Sequence, residues 1–304
     1  MERRKFIKKI GGASLLTLAG GLTLPSFANK KQRHITILHT NDTHSHIEPF
    51  KANHRRNANQ GGVARRASLI EKIRKENPNT LLLDAGDIFQ GTPYFNYYGG
   101  ELEFKLMSLM KYDVATIGNH DFDNGLDGLY AQLPHAKFDF VSANYDFSNT
   151  VMDTHVKPYK IINKGGTKIG IFGLGIQLKG LVDPLLYKET KYQDPVERAQ
   201  DMSRILKENE KCDLVICLSH LGYKYDHIPD KISDTKLAAQ TKDIDLIIGG
   251  HTHTFLDKPS IVKNIENQNV LVNQVGCYGI NIGKIDFYFD SQKNKSAEGV
   301  SISV

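Results

Sequence analysis

Side chains that bind metals or move protons follow directly after five short apolar runs of the sequence. Such runs predict buried strands, and the sites of open α/β sheets form where strands end. One ending alone is weak evidence, because an Asp-x-His turn is more often a surface loop and a single histidine is often a hydrogen-bonded core residue. Five endings in one chain are hard to explain by packing and predict one shared site. The side chains are Asp42 and His44, Asp87, Asn119 and His120, His220, and His251 and His253.

The ligand atoms in this set are nitrogen and oxygen, without cysteine, which suits Zn, Mn or Fe better than a structural thiolate site. Seven ligands are too many for one tetrahedral ion and fit two divalent ions that share a carboxylate. Two ions about 3.5–4 Å apart hold a hydroxide nucleophile and grip phosphoryl oxygens. With two aspartates and a hydroxide the centre keeps one net positive charge, so it attracts phosphate. The seven ligands are Asp42, His44, Asp87, Asn119, His220, His251 and His253.

Strand and helix patterns alternate along the chain and predict a layered α/β sandwich. The later runs 270–275 and 280–289 alternate apolar with polar residues, so we expect them to pair antiparallel with each other. Helices are predicted over 62–76, 102–111 and 195–209, where apolar residues recur every three or four positions. Strands are predicted at 35–39, 80–84, 113–117, 138–142, 168–174, 213–219 and 244–248.

The first 28 residues contain the three parts of an export signal in the usual order. A basic start, MERRKFIKK, precedes a weakly apolar stretch that ends in Ser26-Phe27-Ala28, a small-x-small cleavage pattern. The paired arginines predict a twin-arginine signal and a periplasmic or otherwise exported protein; an uncleaved anchor is the minority alternative, and we expect no stable membrane anchor. The segment carries five basic residues and one acidic, so removing it brings the net charge of +5 down to +1. That balance gives no reason to expect a nucleic-acid partner.

Six motifs in order resemble the calcineurin-type metallophosphoesterases, within them the 5′-nucleotidase/UDP-sugar hydrolase branch. The resemblance covers most of residues 35–290. It implies a four-layer α/β/β/α sandwich with mixed sheets, two divalent metal ions and a small phosphate-ester substrate, with a nucleotide the expected one. The motifs are ILHTNDTHSH (37–46), GGVARR (61–66), LLLDAGDIFQGTPYF (81–95), YDVATIGNHDFDNG (112–125), SHLGYKYD (219–226) and GGHTH (249–253).

The resemblance also implies a role for each site residue. His120, oriented by Asp123, lies beside the substrate phosphate and stabilises charge on the transition state or on the leaving oxygen. Asp121 is given no catalytic role. Asp87 bridges the two ions. The first ion is held by Asp42, His44, Asp87 and His253, and the second by Asp87, Asn119, His220 and His251.

Relatives in this branch carry a second, C-terminal domain that binds the nucleoside. Because the sequence ends at Val304, we expect residues 29–304 to form the catalytic domain alone. A separately encoded chain would then supply the substrate-binding domain, or the enzyme would act broadly on small phosphate esters. Two alternatives stay open. One is another hydrolase of the superfamily, namely a phosphodiesterase, a nucleotide-sugar hydrolase or a sulfur-oxidation hydrolase. The other is a non-catalytic metal-binding or assembly protein.

Two further groups have competing interpretations. Arg65 and Arg66 could touch phosphate, although a solvated helix face is the favoured reading. Aromatic residues at 89, 94, 95, 97 and 98 could stack a base, although burial in the wall and core is favoured.

Overall fold

The computed structural model describes residues 33–292 and 294–304. The predicted signal, residues 1–28, therefore lies outside the described residues. Within the described part, no helix has both the length and the apolar character needed to cross a membrane. Strands and helices alternate there as the sequence pattern predicts.

The strands of the described residues are, in chain order, β1 (Arg33–Thr40), β2 (Thr80–Asp84), β3 (Val114–Ala115), β4 (Asp139–Phe140), β5 (Tyr145–Asp146), β6 (Tyr159–Lys164), β7 (Thr167–Leu174), β8 (Lys191–Tyr192), β9 (Leu214–Ser219), β10 (Leu246–Gly249), β11 (Ser260–Lys263), β12 (Asn269–Asn273), β13 (Asn281–Phe289) and β14 (Lys295–Ser303). The α-helices are α1 (Val63–Glu76), α2 (Pro93–Tyr98), α3 (Glu101–Leu109), α4 (Gly125–Gln132), α5 (Pro184–Tyr187), α6 (Pro195–Arg204) and α7 (Asp234–Gln240).

Two six-stranded mixed sheets form the centre of the fold. The first has the order β14-β13-β1-β2-β3-β4 and the second the order β11-β12-β10-β9-β7-β6. Strands β1 to β4 are parallel, and so are β7, β9, β10 and β12. In the first sheet β13 is antiparallel to both β1 and β14, and in the second sheet the edge strands β11 and β6 are antiparallel to β12 and β7. The mixed sheets implied by the family resemblance are thus confirmed.

The sheets pack face to face, with helices on their outer faces. Alternate residues of a strand point to opposite sides. In β1, Ile35 and Ile37 join the core between the sheets, while Leu38 joins the core beneath α1 and α3. In β9, Ile216 faces the first sheet and Cys217 packs with residues of α6 and α7. This gives the α/β/β/α layering.

Local sequence explains where the main helices begin and end. Buried positions Val63, Arg66, Ile70 and Ile73 recur every three or four residues along the inner face of α1. The helix stops at Glu76 because the next residue precedes a proline and is extended. Helix α6 begins where the Asp194 carboxylate accepts hydrogen bonds from two backbone amides of the first turn, at 2.8 and 2.9 Å.

The prediction that runs 270–275 and 280–289 pair with each other is wrong. Strand β12 lies in the second sheet between β10 and β11, whereas β13 lies in the first sheet between β1 and β14. Alternation shows that one face of a strand is buried, but it does not identify the neighbour. The connection between β12 and β13 instead crosses from one sheet to the other. The helix predicted to run to residue 209 also changes at Ile205–Asn209, where it continues as a π-helical segment.

Candidate metal centre

Register brings the predicted strand ends to the same edge of each sheet. In the first sheet Thr40 pairs with Asp84, and Asp84 pairs with Ala115. In the second sheet Ser219 pairs with Gly249 of β10. The loops that follow these strands therefore begin at the same level along the strand direction, and they meet between the two sheets.

The histidines and aspartates predicted as ligands gather there in two groups of three. Within each group the potential ligand atoms lie within 4.8 Å of one another. Each group takes residues from both sheets. The first triad is Asp42, His44 and His253, and the second triad is Asp87, His220 and His251.

The two triads adjoin each other, with Asp87 between them. Its Oδ2 lies 3.0 Å from His220 Nε2 and 3.8 Å from His44 Nε2 of the first triad. Asn119 joins the second triad, since its Oδ1 lies 2.8 Å from His251 Nδ1. The geometry thus brings all seven predicted ligands together and places Asp87 where a carboxylate shared between two ions would stand.

Several of these residues have backbone conformations that L-amino acids rarely adopt. Asp42, His44, Asp87, His251 and His253 have φ between 47° and 71°. Such positions cost of order 1–3 kcal/mol each and persist where the surrounding structure fixes them. Here the loops fix one another, because the backbone amides of Asp42 and His44 donate to the carbonyls of Gly86 and Asp87 at 2.9 and 3.0 Å.

Glycine is required where these loops touch. A Cβ on Gly118 would overlap the Asp87 carboxylate, and one on Gly250 would come within 2.7 Å of His220 Nδ1. Both glycines therefore allow backbone to approach the ligand side chains more closely than any other residue could.

The hydrogen-bonding of His220 tests whether these residues fit a metal. Its Nδ1 lies 2.7 Å from the carbonyl oxygen of Ala85, which can only accept, so Nδ1 carries a proton. Its Nε2 is fully buried without a hydrogen-bond partner, although Asp87 Oδ2 is 3.0 Å away. In a neutral imidazole, that arrangement points a lone pair at a carboxylate. A cation between the two atoms removes the conflict, and a carbonyl on the far nitrogen is the usual support for a metal-binding histidine.

The first triad shows the same conflict. His44 Nδ1 faces the carbonyl oxygen of Phe89 at 3.2 Å, and its Nε2 lies only 3.0 Å from His253 Nε2. Two ring nitrogens that approach this closely share a proton or bind one cation. The donor set and its geometry therefore fit two divalent ions.

Charge in the centre agrees with this fit. Although burial opposes protonation, Asp87 and Asp42 raise the pKa of His220 to about 10. Burial likewise opposes protonation of His253, yet its hydrogen bond to Asp42 raises its pKa to about 10. Burial and the charge of His220 lower the pKa of His251 to about 4. The carboxylates thus concentrate negative charge that divalent cations would neutralise.

His120 and Asp123 stand beside the triads as a hydrogen-bonded pair. His120 Nδ1 is 2.8 Å from Asp123 Oδ2, and its ring centroid is 5.3 Å from that of His44. Its backbone amide donates to Asp87 Oδ1 at 2.8 Å. The hydrogen bond to Asp123 raises the pKa of His120 above its usual value, against the effect of burial. The hydrogen bond between His120 and Asp123 has the geometry that the predicted orienting role of Asp123 requires.

Asp121 has a structural role in the site that the sequence did not predict. Its carboxylate is buried and accepts four backbone hydrogen bonds. One oxygen accepts from the amides of Ile88 and Phe89 at 2.8 and 3.1 Å, and the other from those of Asp87 and Gly118 at 3.0 and 2.8 Å. Asp121 therefore joins the Asp87 loop to the Asn119 loop. The signal in the sequence was an acidic residue directly after the site residues Asn119 and His120 at a strand end.

The arginine and aromatic expectations are confirmed only in part. Arg65 is exposed, as expected for a residue on a solvated helix face. Arg66 is buried on the inner face of α1, so the prediction of a solvated position is wrong for this residue. Its guanidinium fills the space where Gly279 would carry a side chain. Phe89 and Phe95 are buried in the core, which confirms the favoured interpretation for these two residues. Tyr97 and Tyr98 are exposed, so burial is the wrong prediction for them.

Known proteins resemble this chain in sequence and in fold. The profile of the calcineurin-like phosphoesterases matches residues 35–255. A snake venom 5′-nucleotidase from Crotalus adamanteus is 35% identical in an alignment 281 residues long, which covers 86% of this chain and 46% of the relative. The trifunctional nucleotide phosphoesterase protein YfkN of Bacillus subtilis (strain 168) is 32% identical in an alignment 302 residues long, which covers 89% of this chain and 19% of the relative.

The crystal structure of a 5′-nucleotidase precursor from Thermus thermophilus superposes with a TM-score of 0.81 at 34% identity, covering 89% of this chain and 54% of that one. The chain thus spans about half the length of the venom and Thermus proteins. The matched profile runs from β1 to just beyond His253 and so includes every residue of both triads. By its motifs, its two-sheet fold and this match, the chain belongs to the calcineurin-like phosphoesterase family.

Proposed function

We propose that this chain is a metal-dependent phosphoester hydrolase that releases phosphate from nucleoside 5′-monophosphates. The observation that carries the proposal is the pair of adjoining triads around Asp87, with the His120 imidazole beside them. The names of the relatives, 5′-nucleotidases among them, support a nucleotide as the substrate.

The triads would hold the two ions, with Asp87 shared and Asn119 completing the second site. Bound there, two divalent ions lower the pKa of a water molecule and draw electrons from the phosphoryl group. The chain's own residues supply the rest. His251 donates its backbone amide to the Asp42 carboxylate at 2.9 and 3.1 Å, which fixes the orientation of that ligand.

His120 is the group placed to handle the proton. Asp123 holds its Nδ1, so the other nitrogen is free to meet an oxygen of the substrate. The raised pKa of His120 favours the protonated form, which stabilises charge on the phosphoryl oxygens and donates to the leaving alkoxide. Its backbone amide, bound to Asp87, fixes the ring relative to the triads.

Turnover of a substrate panel by the purified chain tests the proposal. The chain should contain about two divalent ions and hydrolyse AMP and other nucleoside monophosphates, and removing the ions with a chelator should abolish turnover. Nucleotide sugars, cyclic nucleotides and an aryl phosphate complete the panel. A metal-loaded chain without activity on any of them would favour the non-catalytic metal-binding alternative, which the His120–Asp123 pair argues against.

A nucleotide phosphodiesterase is the second candidate. The observation in its favour is the similarity to YfkN, whose name describes a trifunctional nucleotide phosphoesterase. Faster hydrolysis of a cyclic nucleotide or a nucleotide sugar than of AMP would select this candidate over the monoesterase.

We further propose that residues 1–28 direct export through the twin-arginine route. Support comes from the basic start, the apolar stretch and the Ser26-Phe27-Ala28 pattern. N-terminal sequencing of protein recovered from the periplasm should give a chain that begins at residue 29. A chain retained inside the cell and starting at Met1 would refute the proposal.

A further inference from the structure

A row of rings leads from the first triad to the protein surface. The Tyr278 ring centroid lies 5.9 Å from that of His44 and 5.8 Å from that of His253. The same centroid lies 4.3 Å from that of His46 and 5.9 Å from that of Phe50. The ring of Phe50 in turn stacks on His46 at 4.9 Å and contacts His54 at 4.6 Å. We name the four side chains His46, Phe50, His54 and Tyr278 the ring ledge.

An open cavity of about 520 Å³ lies against the outer part of this ledge. Its walls include His46, Phe50 and His54 of the ledge together with Thr92 and Tyr94. Ligand sites for small molecules have this size, mostly apolar walls and a few polar groups. A planar ring is the group that such walls bind best, because it stacks face to face or edge to face on aromatic side chains.

The turn that carries Tyr278 is held in an unusual conformation. Tyr278 has a φ of 62°, and the flanking Gly276 and Gly279 are also in the left-handed region. Its backbone amide donates to the carbonyl of Asp42 at 2.7 Å, and the Arg66 guanidinium packs against Gly279. A tyrosine with positive φ is strained, and such strain collects at functional sites. The half-buried ring is thereby fixed between the first triad and the cavity.

Charge at the cavity suits an anionic ligand. Lys51 and Arg55 line it, and Arg56 follows in the same exposed segment. Glu48 also lines it, but its carboxylate accepts a hydrogen bond from the Tyr94 hydroxyl at 3.2 Å. The excess of positive charge attracts phosphate esters toward the metal centre.

We propose that the ring ledge is a subsite for the planar heteroaromatic part of a phosphate ester whose phosphate lies at the triads. The inference rests on the proposed function and deepens it. It assigns the preference for substrates with a planar ring to side chains between residues 46 and 94 and to Tyr278. A substrate with an aliphatic alcohol, such as glycerol 3-phosphate, has no ring to stack and would use the metal centre alone.

Kinetic selectivity tests the subsite. The measured quantity is kcat/KM for AMP divided by kcat/KM for glycerol 3-phosphate. Phe50→Ala should lower this ratio about tenfold, the scale for losing one base–aromatic stack, mainly through the KM for AMP. Phe50→Tyr keeps the ring and should restore most of the ratio. Tyr130→Ala serves as the matched control, because Tyr130 is an exposed aromatic residue on α4 that contacts the His155 ring edge to face at 5.1 Å, outside the ring ledge.

Direct binding separates failure of the subsite from failure of the proposed function. Adenosine, which has no phosphate, is the probe, and saturation-transfer NMR on its ring protons reports contact with the chain. The wild type and Tyr130→Ala should give equal signals, and Phe50→Ala a signal several-fold weaker. This result can be obtained even if no ester is hydrolysed. An unchanged ratio together with equal adenosine signals in all variants would overturn the proposal.

Discussion

Replacing Asp121 with asparagine should loosen two loops of the metal centre at once. Each oxygen of the carboxylate accepts two backbone N–H groups, one oxygen from Ile88 and Phe89 and the other from Asp87 and Gly118. An asparagine side chain has only one oxygen. Whichever way the amide is turned, its NH₂ group faces two backbone donors that it cannot bind.

The size of the effect follows from that count. Two buried donors lose their acceptor, and each such loss costs about 1–3 kcal/mol. Burial and the neighbouring Asp87 raise the pKa of Asp121, so removing its charge relieves part of a repulsion. We therefore expect the free energy of unfolding to fall by about 2–4 kcal/mol rather than by the full sum. Because the loops carry Asp87 and Asn119, affinity for the second ion should fall at least about tenfold, the change that 1.4 kcal/mol produces.

Two measurements check this expectation. Urea unfolding with a chelator present gives the stability of the metal-free chain, and titration against a coloured chelator gives the metal affinity. Asp127→Asn is the control, because Asp127 is an exposed carboxylate on α4 that pairs with Lys188. Its unfolding should change by less than about 0.5 kcal/mol. If Asp121→Asn matched this control in both stability and metal affinity, the four hydrogen bonds would not hold the loops as argued.

Three other substitutions probe the centre. His120→Asn should keep both ions, yet lower kcat by about 10²–10⁴, the scale of lost acid–base catalysis; metal analysis beside turnover checks this, and loss of metal would show that the role is misassigned. His220→Ala should lower the metal content, since its Nε2 faces Asp87 at 3.0 Å; a variant with full metal content would contradict the ligand role. Gly118→Ala should lose metal and about 1–3 kcal/mol of stability, because its Cβ would overlap the Asp87 carboxylate; wild-type metal affinity in this variant would contradict the close approach.

The candidate site is predictable from sequence to the extent that it depends on strand ends. Strand β2 runs over Thr80–Asp84 as predicted, and β9 differs by one residue. Parallel strands in register bring the residues that follow them to one edge of the sheet. Recognising the apolar runs is therefore sufficient to predict that the candidate ligands lie close together. The sequence missed five strands of the described residues. Two of them, β5 and β8, are only two residues long, too short to give a pattern. The other three, β6, β11 and β14, are edge strands with several exposed or half-buried positions, which weakens the apolar signal.

The roles of Asp121, Arg66 and Tyr278 depend on contacts between distant segments. Asp121 is bound to a loop more than thirty residues earlier in the chain. Tyr278 reaches the first triad because the chain crosses from the second sheet to the first between β12 and β13. The prediction that β12 and β13 pair with each other is incompatible with that crossing. Side-chain type and spacing do not encode such placement, which follows from the order of strands in two separate sheets.

The position of the triads between two sheets links metal binding to the packing of the fold. In the first triad, Asp42 and His44 follow β1 and His253 follows β10; in the second, Asp87 follows β2 and His220 follows β9. An ion in either triad would therefore tie one sheet to the other at the edge where the apolar core between them ends. Any ligand that binds only the folded state adds its binding free energy to stability. That contribution would offset part of the strain at the five predicted ligand positions with positive φ, which hydrogen bonds between the loops also stabilise.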